Sequence, residues 1–168
     1  MRNIIKSILL ALFVLLSPNF IHASKKALMA KKSGEIRIKD VSPHKTLTLR
    51  YNYGEMELVF WDKNEIVLKY DECVRASSQK RADEILQQRI AIKSIEGHYF
   101  KVGKVDDSSV SFNSKWTVYV PSYISSVAAS NSFGNITVGK GFPGLIRIDV
   151  KNGDVNIPET KAMCVVGV

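Results

Sequence analysis

The sequence predicts a mainly β protein, wound as a β-solenoid with rungs of about 20 residues and one inserted α-helix. Two observations carry this prediction. Apolar residues alternate with polar ones along most of the chain, the period of a half-buried strand. A short phrase, Gly-x-apolar-x-apolar, recurs four times: Gly34-Glu-Ile36-Arg-Ile38, Gly54-Glu-Met56-Glu-Leu58, Gly134-Asn-Ile136-Thr-Val138 and Gly153-Asp-Val155-Asn-Ile157. The first two glycines are 20 residues apart and the last two 19, a spacing that suits one coil of a solenoid. A β-sandwich with ordinary hairpin glycines is the alternative.

Taken from the N-terminus, residues 1–23 read as a secretory signal peptide. Arg2 and Lys6 precede the unbroken apolar run Ile8–Leu16, Pro18 breaks it, and Phe20-Ile21-His22-Ala23 ends on a small residue. The run is too short to span a bilayer. Residues 24–168 then form a single domain. Losing Arg2 and Lys6 with the leader takes the formal charge from +8 to +6. The cations are scattered, so a nucleic-acid arm is not indicated, and anionic envelope surfaces are the natural electrostatic partners.

The strands follow in order: Leu47–Tyr51, Met56–Leu58, Ile66–Tyr70, Ile90–Ile92, Trp116–Val120, Ile136–Val138, Ile146–Val150 and Val155–Ile157. Trp61-Asp62-Lys63-Asn64 has the composition of a tight hairpin turn between strands 55–61 and 65–71. One segment has helical period. Ser77 and Ser78 offer an N-cap, and Ala82, Ile85, Leu86 and Ile90 share one stripe. That predicts a helix over about residues 77–90. In three of the four glycine phrases a turn-like pair precedes the glycine: Asn52-Tyr53, Ser132-Phe133 and Lys151-Asn152. The unit is therefore strand, corner, strand, and Gly34, Gly54, Gly134 and Gly153 are the expected turn glycines. The interval between Gly54 and Gly134 is four periods, yet the helix lies inside it and would interrupt regular stacking.

These phrases together resemble the putative adhesin family of exported bacterial proteins, of the Bacteroidetes type and akin to autotransporter-adhesin-like head domains. The resemblance runs through Leu47–Asp71, with Tyr53-Gly54-Glu55-Met56-Glu57-Leu58 and Trp61–Ile66. It resumes at Trp116–Pro121, Phe133–Val138 and Asn152–Val155. It implies a right-handed β-helix at the periplasm or cell surface, with no assigned chemistry. Relatives continue with further glycine-bearing coils, whereas this chain stops in the apolar phrase Cys164–Val168. That end suggests a truncated form or one that caps itself by pairing with another chain.

The residues that could carry chemistry are few. Glu55, Glu57, Asp149 and Asp154 sit on the repeat phrases without forming a recurring column of the kind a polysaccharide hydrolase or lyase needs. Asp106-Asp107-Ser108-Ser109 lacks the further oxygen ligands of a calcium loop. His44 and His98 do not form a local metal motif, and no phosphate loop, nucleophile elbow or zinc signature is present. Trp61 could stack on a sugar, although packing is the commoner role for a lone strand-end Trp. Trp116 belongs to an alternating core run. Six tyrosines could line a carbohydrate face, but Tyr is also a good strand residue. Export permits a Cys73–Cys164 disulfide; two buried thiols, or an intermolecular bridge through Cys164, are the alternatives.

The expectation is an exported, non-enzymatic envelope or cell-surface protein of the adhesin type. It would present a rigid β-helix face to a glycan, an envelope protein or, through its open C-terminal end, a second copy. No cofactor, metal or nucleic acid is expected. An envelope sensor linked to an anti-sigma system and a carbohydrate-active enzyme on the same scaffold are the rivals.

Overall fold

A computed structural model describes residues 28–43, 46–90, 93–95, 99–101, 109–158 and 163–167. The leader expected at residues 1–23, together with His44, Ala91-Ile92, His98 and Asp106–Ser108, lies outside them. The strands are β1 (Leu28–Lys39), β2 (Thr46–Tyr53), β3 (Glu55–Trp61), β4 (Glu65–Ala76), β5 (Lys93–Ile95), β6 (Tyr99–Lys101), β7 (Ser111–Pro121), β8 (Ser126–Phe133), β9 (Ile136–Val138), β10 (Leu145–Val150), β11 (Val155–Asn156) and β12 (Met163–Gly167). The helix α1 spans Gln79–Ile90, between β4 and β5. The protein is mainly β, in two six-stranded sheets. The first runs β1-β4-β7-β3-β9-β11 and the second β12-β10-β8-β2-β6-β5.

Three strand–corner–strand units pass from the second sheet to the first: β2 to β3 through Gly54, β8 to β9 through Gly134, and β10 to β11 through Gly153. In the second sheet β8 lies parallel between β2 and β10, and in the first β9 lies parallel between β3 and β11. The register puts like residues side by side. Leu47, Val127 and Ile146 form one inner row, Leu49, Ala129 and Ile148 a second, and Met56, Ile136 and Val155 a third. All but the half-buried Val155 are buried in a cluster shared by both sheets. Removing each large side chain from water is worth about 1.5–3 kcal/mol, so the rows define which strand faces turn inward.

The corners are stacked as closely as the strands. Gly54, Gly134 and Gly153 have φ of +114°, +116° and +147°, where an L side chain is strained. Their neighbours leave no room either. A Cβ on Gly134 would meet the carbonyl oxygen of Gly54, and one on Gly153 that of Gly134. The amide of Gly54 donates to Phe133 O at 2.9 Å and that of Gly134 to Asn152 O at 2.8 Å. Inside the column, buried Asn131 donates from Nδ2 to the carbonyls of Gly54 (2.8 Å) and Gly134 (3.1 Å). A buried amide with two acceptors thus ties two adjacent corners together.

Gly34 is different from the other three and corrects the expectation of a fourth corner. It lies inside β1, opposite Tyr70, in an antiparallel pair with β4. A Cβ there would meet the Tyr70 ring, so glycine serves close approach of an aromatic side chain and not a turn. The Trp61–Asn64 segment is not a hairpin either. β7 lies between β3 and β4, parallel to β3 and antiparallel to β4.

Between Trp61 and Ser126 the chain leaves the stacked units, builds β4, α1, β5, β6 and β7, and returns. The amide of Ser122 donates to Trp61 O at 2.7 Å, closing the excursion. Gly134 therefore stacks directly on Gly54 although helix and strands separate them in sequence. Ser78 caps α1, its hydroxyl accepting from the Arg81 amide at 3.2 Å. The stripe Ala82, Ile85 and Leu86 packs with Ala30, Val74 and Ala76 in a second, smaller core. Ile90, placed both at the end of the expected helix and at the start of the expected strand, ends the helix.

Two glycines separate backbone strain from crowding. Gly141 has φ +85° and open space, with no atom within 4 Å of the position a Cβ would take. Gly141→Ala should therefore cost only the left-handed penalty of about 1–2 kcal/mol. Gly134→Ala should cost distinctly more, because the backbone of the neighbouring corner must move. Denaturant unfolding of the two variants measures the difference, and equal losses would contradict the stacked corner.

Candidate functional site

The polar chemistry of the molecule is divided between a sealed interior cluster and an open outer face. The interior cluster arises because β4 runs past both cores with one face inward. Ile66 and Leu68 enter the main core, Val74 and Ala76 enter the core under α1, and Glu72 falls between them. On α1, Arg89 continues the stripe of Ala82, Ile85 and Leu86. The two side chains meet, both with no exposed surface, with Arg89 Nε donating to Glu72 Oε2 at 2.9 Å.

Every element around the pair contributes a partner. Trp116 Nε1 on β7 donates to Glu72 Oε1 at 2.6 Å, and the Ser114 hydroxyl donates to Oε2. The Tyr51 hydroxyl on β2 donates to Oε1 at 3.3 Å. Arg89 Nη2 reaches Tyr53 O at 3.0 Å, the end of the same strand. The guanidinium also lies over the Phe112 ring at 4.5 Å. From there a column of rings leads outward, Phe112 to Tyr53 at 5.2 Å and Tyr53 to the exposed Phe133 at 5.0 Å. Burial, and then the charge of Glu72, push the Tyr51 phenol far above the ordinary tyrosine range. Full burial closes this cluster to any substrate, and it acts as a joint between the helix and both sheets.

The open face is the outer side of the second sheet. A trough of about 580 Å³ lies there. Its floor is β8, whose outward residues Ala128, Ser130 and Ser132 are short. Thr48, Arg50 and Asn52 of β2 form one wall, and Arg147, Asp149 and Lys151 at β10 the other. The parallel register sets these in rows across the sheet, Thr48–Ala128–Arg147 and then Arg50–Ser130–Asp149. Arg147 and Lys151 are exposed and make no ion pair among the described residues. Ser132 spends its hydroxyl on Asn52 Oδ1 at 2.8 Å.

The residues singled out in the sequence scatter over other faces. Glu55 and Glu57 point outward from β3 on the first sheet, and Asp154 is exposed at the third corner. Asp149 alone lines the trough. Trp61 is half-buried, donates to Glu65 O at 2.9 Å and packs on Tyr119 at 4.9 Å, with Lys63 over its ring at 5.0 Å. Trp116 is buried between Tyr51 and Tyr70. Tyr51, Tyr53, Tyr70 and Tyr119 therefore serve the core, the aromatic column and the first sheet rather than one ligand face. Cys73 is a free, buried thiol on β4, while Cys164 falls on β12, at the outer edge of the other sheet. Among the described residues no three His, Cys, Asp or Glu side chains gather as a metal site, and no helix is long and apolar enough to cross a membrane.

Of the outward trough residues, the sequence marks only Asp149 for chemistry, and Asn52, Ser132 and Lys151 as turn residues before the corner glycines. Their signal is faint. Ser126-Val-Ala-Ala-Ser-Asn-Ser-Phe133 is a strand whose outward positions are all small, flanked in space by strands with long outward side chains. Only the pairing of strands 80 and 19 residues apart reveals the combination.

No protein-family model matches the sequence, and no curated protein matches it. Among solved structures, the fold is similar to the crystal structure of a putative cell adhesion protein from Clostridium sporogenes ATCC 15579. The two share 11% identity with a TM-score of 0.48, over 83% of this chain and all of the other.

Two outcomes test the interior cluster. Arg89→Met leaves Glu72 buried without its cation and should lose about 3–5 kcal/mol of stability. Pairing it with Glu72→Leu should restore part of that loss, read as a positive coupling in a double-mutant cycle. The Tyr51 phenol gives a pH signature. Below the ordinary tyrosine pKa it is neutral in both states. Above about pH 10 the unfolded chain gives up a proton that the folded chain keeps, so stability falls as pH rises. Tyr51→Phe should flatten that alkaline decline relative to the parent protein in unfolding experiments from about pH 8 to 11.

Proposed function

We propose that this protein is an exported, non-enzymatic binding module of the bacterial envelope or cell surface, an adhesin-type protein whose stacked units act as a short right-handed β-helix. The observation that carries this reading is the trough on the second sheet. It is open, flanked by charged side chains and built on three parallel strands whose inner rows are locked in the main core, so its walls hold their spacing without a ligand. A floor of small residues between charged walls suits recognition of an extended molecule by side chains. The in-register corners and the 19-residue step from Gly134 to Gly153 support the coiled description. The leader-like residues 1–23 support export.

The placement of the described carboxylates supports display rather than turnover. Among the described residues Asp149 is the one carboxylate of the trough, and hydrolysis of a glycosidic bond by the usual route takes a pair. Glu72 is fully buried behind the sheet and cannot serve as the second.

The test has two arms. Fractionation of cells carrying the native gene, with intact-mass analysis, should find a species that begins near residue 24 outside the cytoplasm. Purified protein should be retained by isolated envelope material without releasing shortened polysaccharide. An intact leader in a cytosolic protein would overturn the export reading. Release of new reducing ends from envelope polysaccharide would replace the binding module with a carbohydrate-active enzyme.

A further inference from the structure

We infer that the trough along β8 is a binding site for an acidic glycan, a chain of hydroxyl-bearing sugars that carry carboxylate, sulfate or phosphate groups. The inference rests on the binding-module reading above and names its ligand class.

The dimensions come first. From Ala128 to Ser132 the floor runs four residue steps, about 13 Å at the usual rise, and β2 and β10 stand about 9.5 Å apart across it. That is room for one extended chain of a few sugar rings and too narrow for a duplex or a helix. The charge comes next. Arg50 stands on one wall and Arg147 and Lys151 on the other, against a single Asp149. An anionic chain lying along β8 meets cations from both sides. Arg147 offers a planar fork that fits a carboxylate or sulfate with two parallel hydrogen bonds. The Thr48 and Ser130 hydroxyls and the Asp149 carboxylate are suited to hydroxyl groups of the ligand.

Other polyanions fit less well. Single-stranded nucleic acid is bound through stacking of bases on exposed aromatic rings. Among the described residues the only aromatic one of the trough is Tyr51, whose side chain is turned into the core. A peptide is commonly bound by adding a strand to a sheet edge. β8 has no edge, being paired with β2 on one side and β10 on the other. A neutral sugar would use neither the Arg147 fork nor the Lys151 charge.

The test uses defined probes on the folded protein. Penta-galacturonate should bind in calorimetry, its fully methyl-esterified form at least about tenfold more weakly, and the difference should shrink as salt is raised. Arg147→Gln with Lys151→Gln should weaken galacturonate binding by about tenfold or more, each lost charge-assisted contact contributing. Ser130→Leu should also weaken it by filling the floor. All these residues are outward-facing, and an unchanged melting temperature confirms that the variants fold. Equal binding of the acid and the ester, or undiminished binding by the Arg147/Lys151 variant, would overturn the site. So would tighter binding of a penta-glutamate peptide than of the sugar. Envelope retention that survives in the Arg147/Lys151 variant would leave the binding-module reading standing while removing this site from it.

Discussion

A single buried ion pair decides how the two kinds of structure in this molecule are joined. The stacked strand–corner–strand units and the antiparallel, helix-bearing excursion each have an apolar core. Between those cores Glu72 of β4 and Arg89 of α1 are removed from water together. Desolvating the two charges costs several kcal/mol per ion, and their attraction repays it only with good geometry and further hydrogen bonds. Here Glu72 accepts hydrogen bonds from Arg89, Ser114, Trp116 and Tyr51. The positions of β2, β4, β7 and α1 are thereby fixed relative to one another. A purely apolar filling could be equally stable, but it would tolerate a sliding helix. The carboxylate on β4, with donors aimed at it from β2, β7 and the helix, does not.

The second organising feature is the column of corner glycines. Strand pairing sets the spacing of the units, and the glycines let the corners keep that spacing without side chains between them. Because the column is continuous, the outward faces of the same units inherit its register. The trough on the second sheet is a consequence of this, since its floor and walls are what three registered strands present on the side away from the core. Inner rows of Leu, Ile and Val hold the strands, and the outer rows are then at liberty to differ.

Much of this was legible in the sequence. Period-two alternation located β2, β3, β4, β7, β9 and β10, and a capped stripe located α1 to within two residues at its start. Other features needed three dimensions. β8 was missed because its inner positions include Ala129 and Asn131 and its outer ones Ala and Ser, so its alternation is too weak to see. The Trp61–Asn64 turn has hairpin composition, but composition does not say that β7 will come back between the two strands. Gly34 matched the repeat phrase by letter while answering to a different need, the Tyr70 ring above it. The buried pair did leave a trace. Glu72 falls on the apolar register of β4 and Arg89 on the apolar stripe of α1, two charges of opposite sign where an alternation or a helical wheel calls for a hydrophobe. The trough left almost none, because it is made by residues from strands distant in the chain.

The closed excursion also determines the order in which this chain can assemble. When β2 and β3 have been synthesised, the strands that flank them on the corner side, β8 and β9, are still 80 residues from completion. Their other neighbours, β6 for β2 and β7 for β3, come within the excursion and at its end. Joining ends so far apart carries an entropy cost that no early contact repays. The β8–β9 and β10–β11 units are separated by only 19 residues and can close on each other at once. Loop-closure entropy therefore favours nucleation in the C-terminal units or in the antiparallel β4–α1–β7 piece, with β2–β3 as the strip laid down when the two meet. Tyr51 and Tyr53, which lie in that strip and also reach the Glu72–Arg89 pair, make its arrival the step that completes both cores.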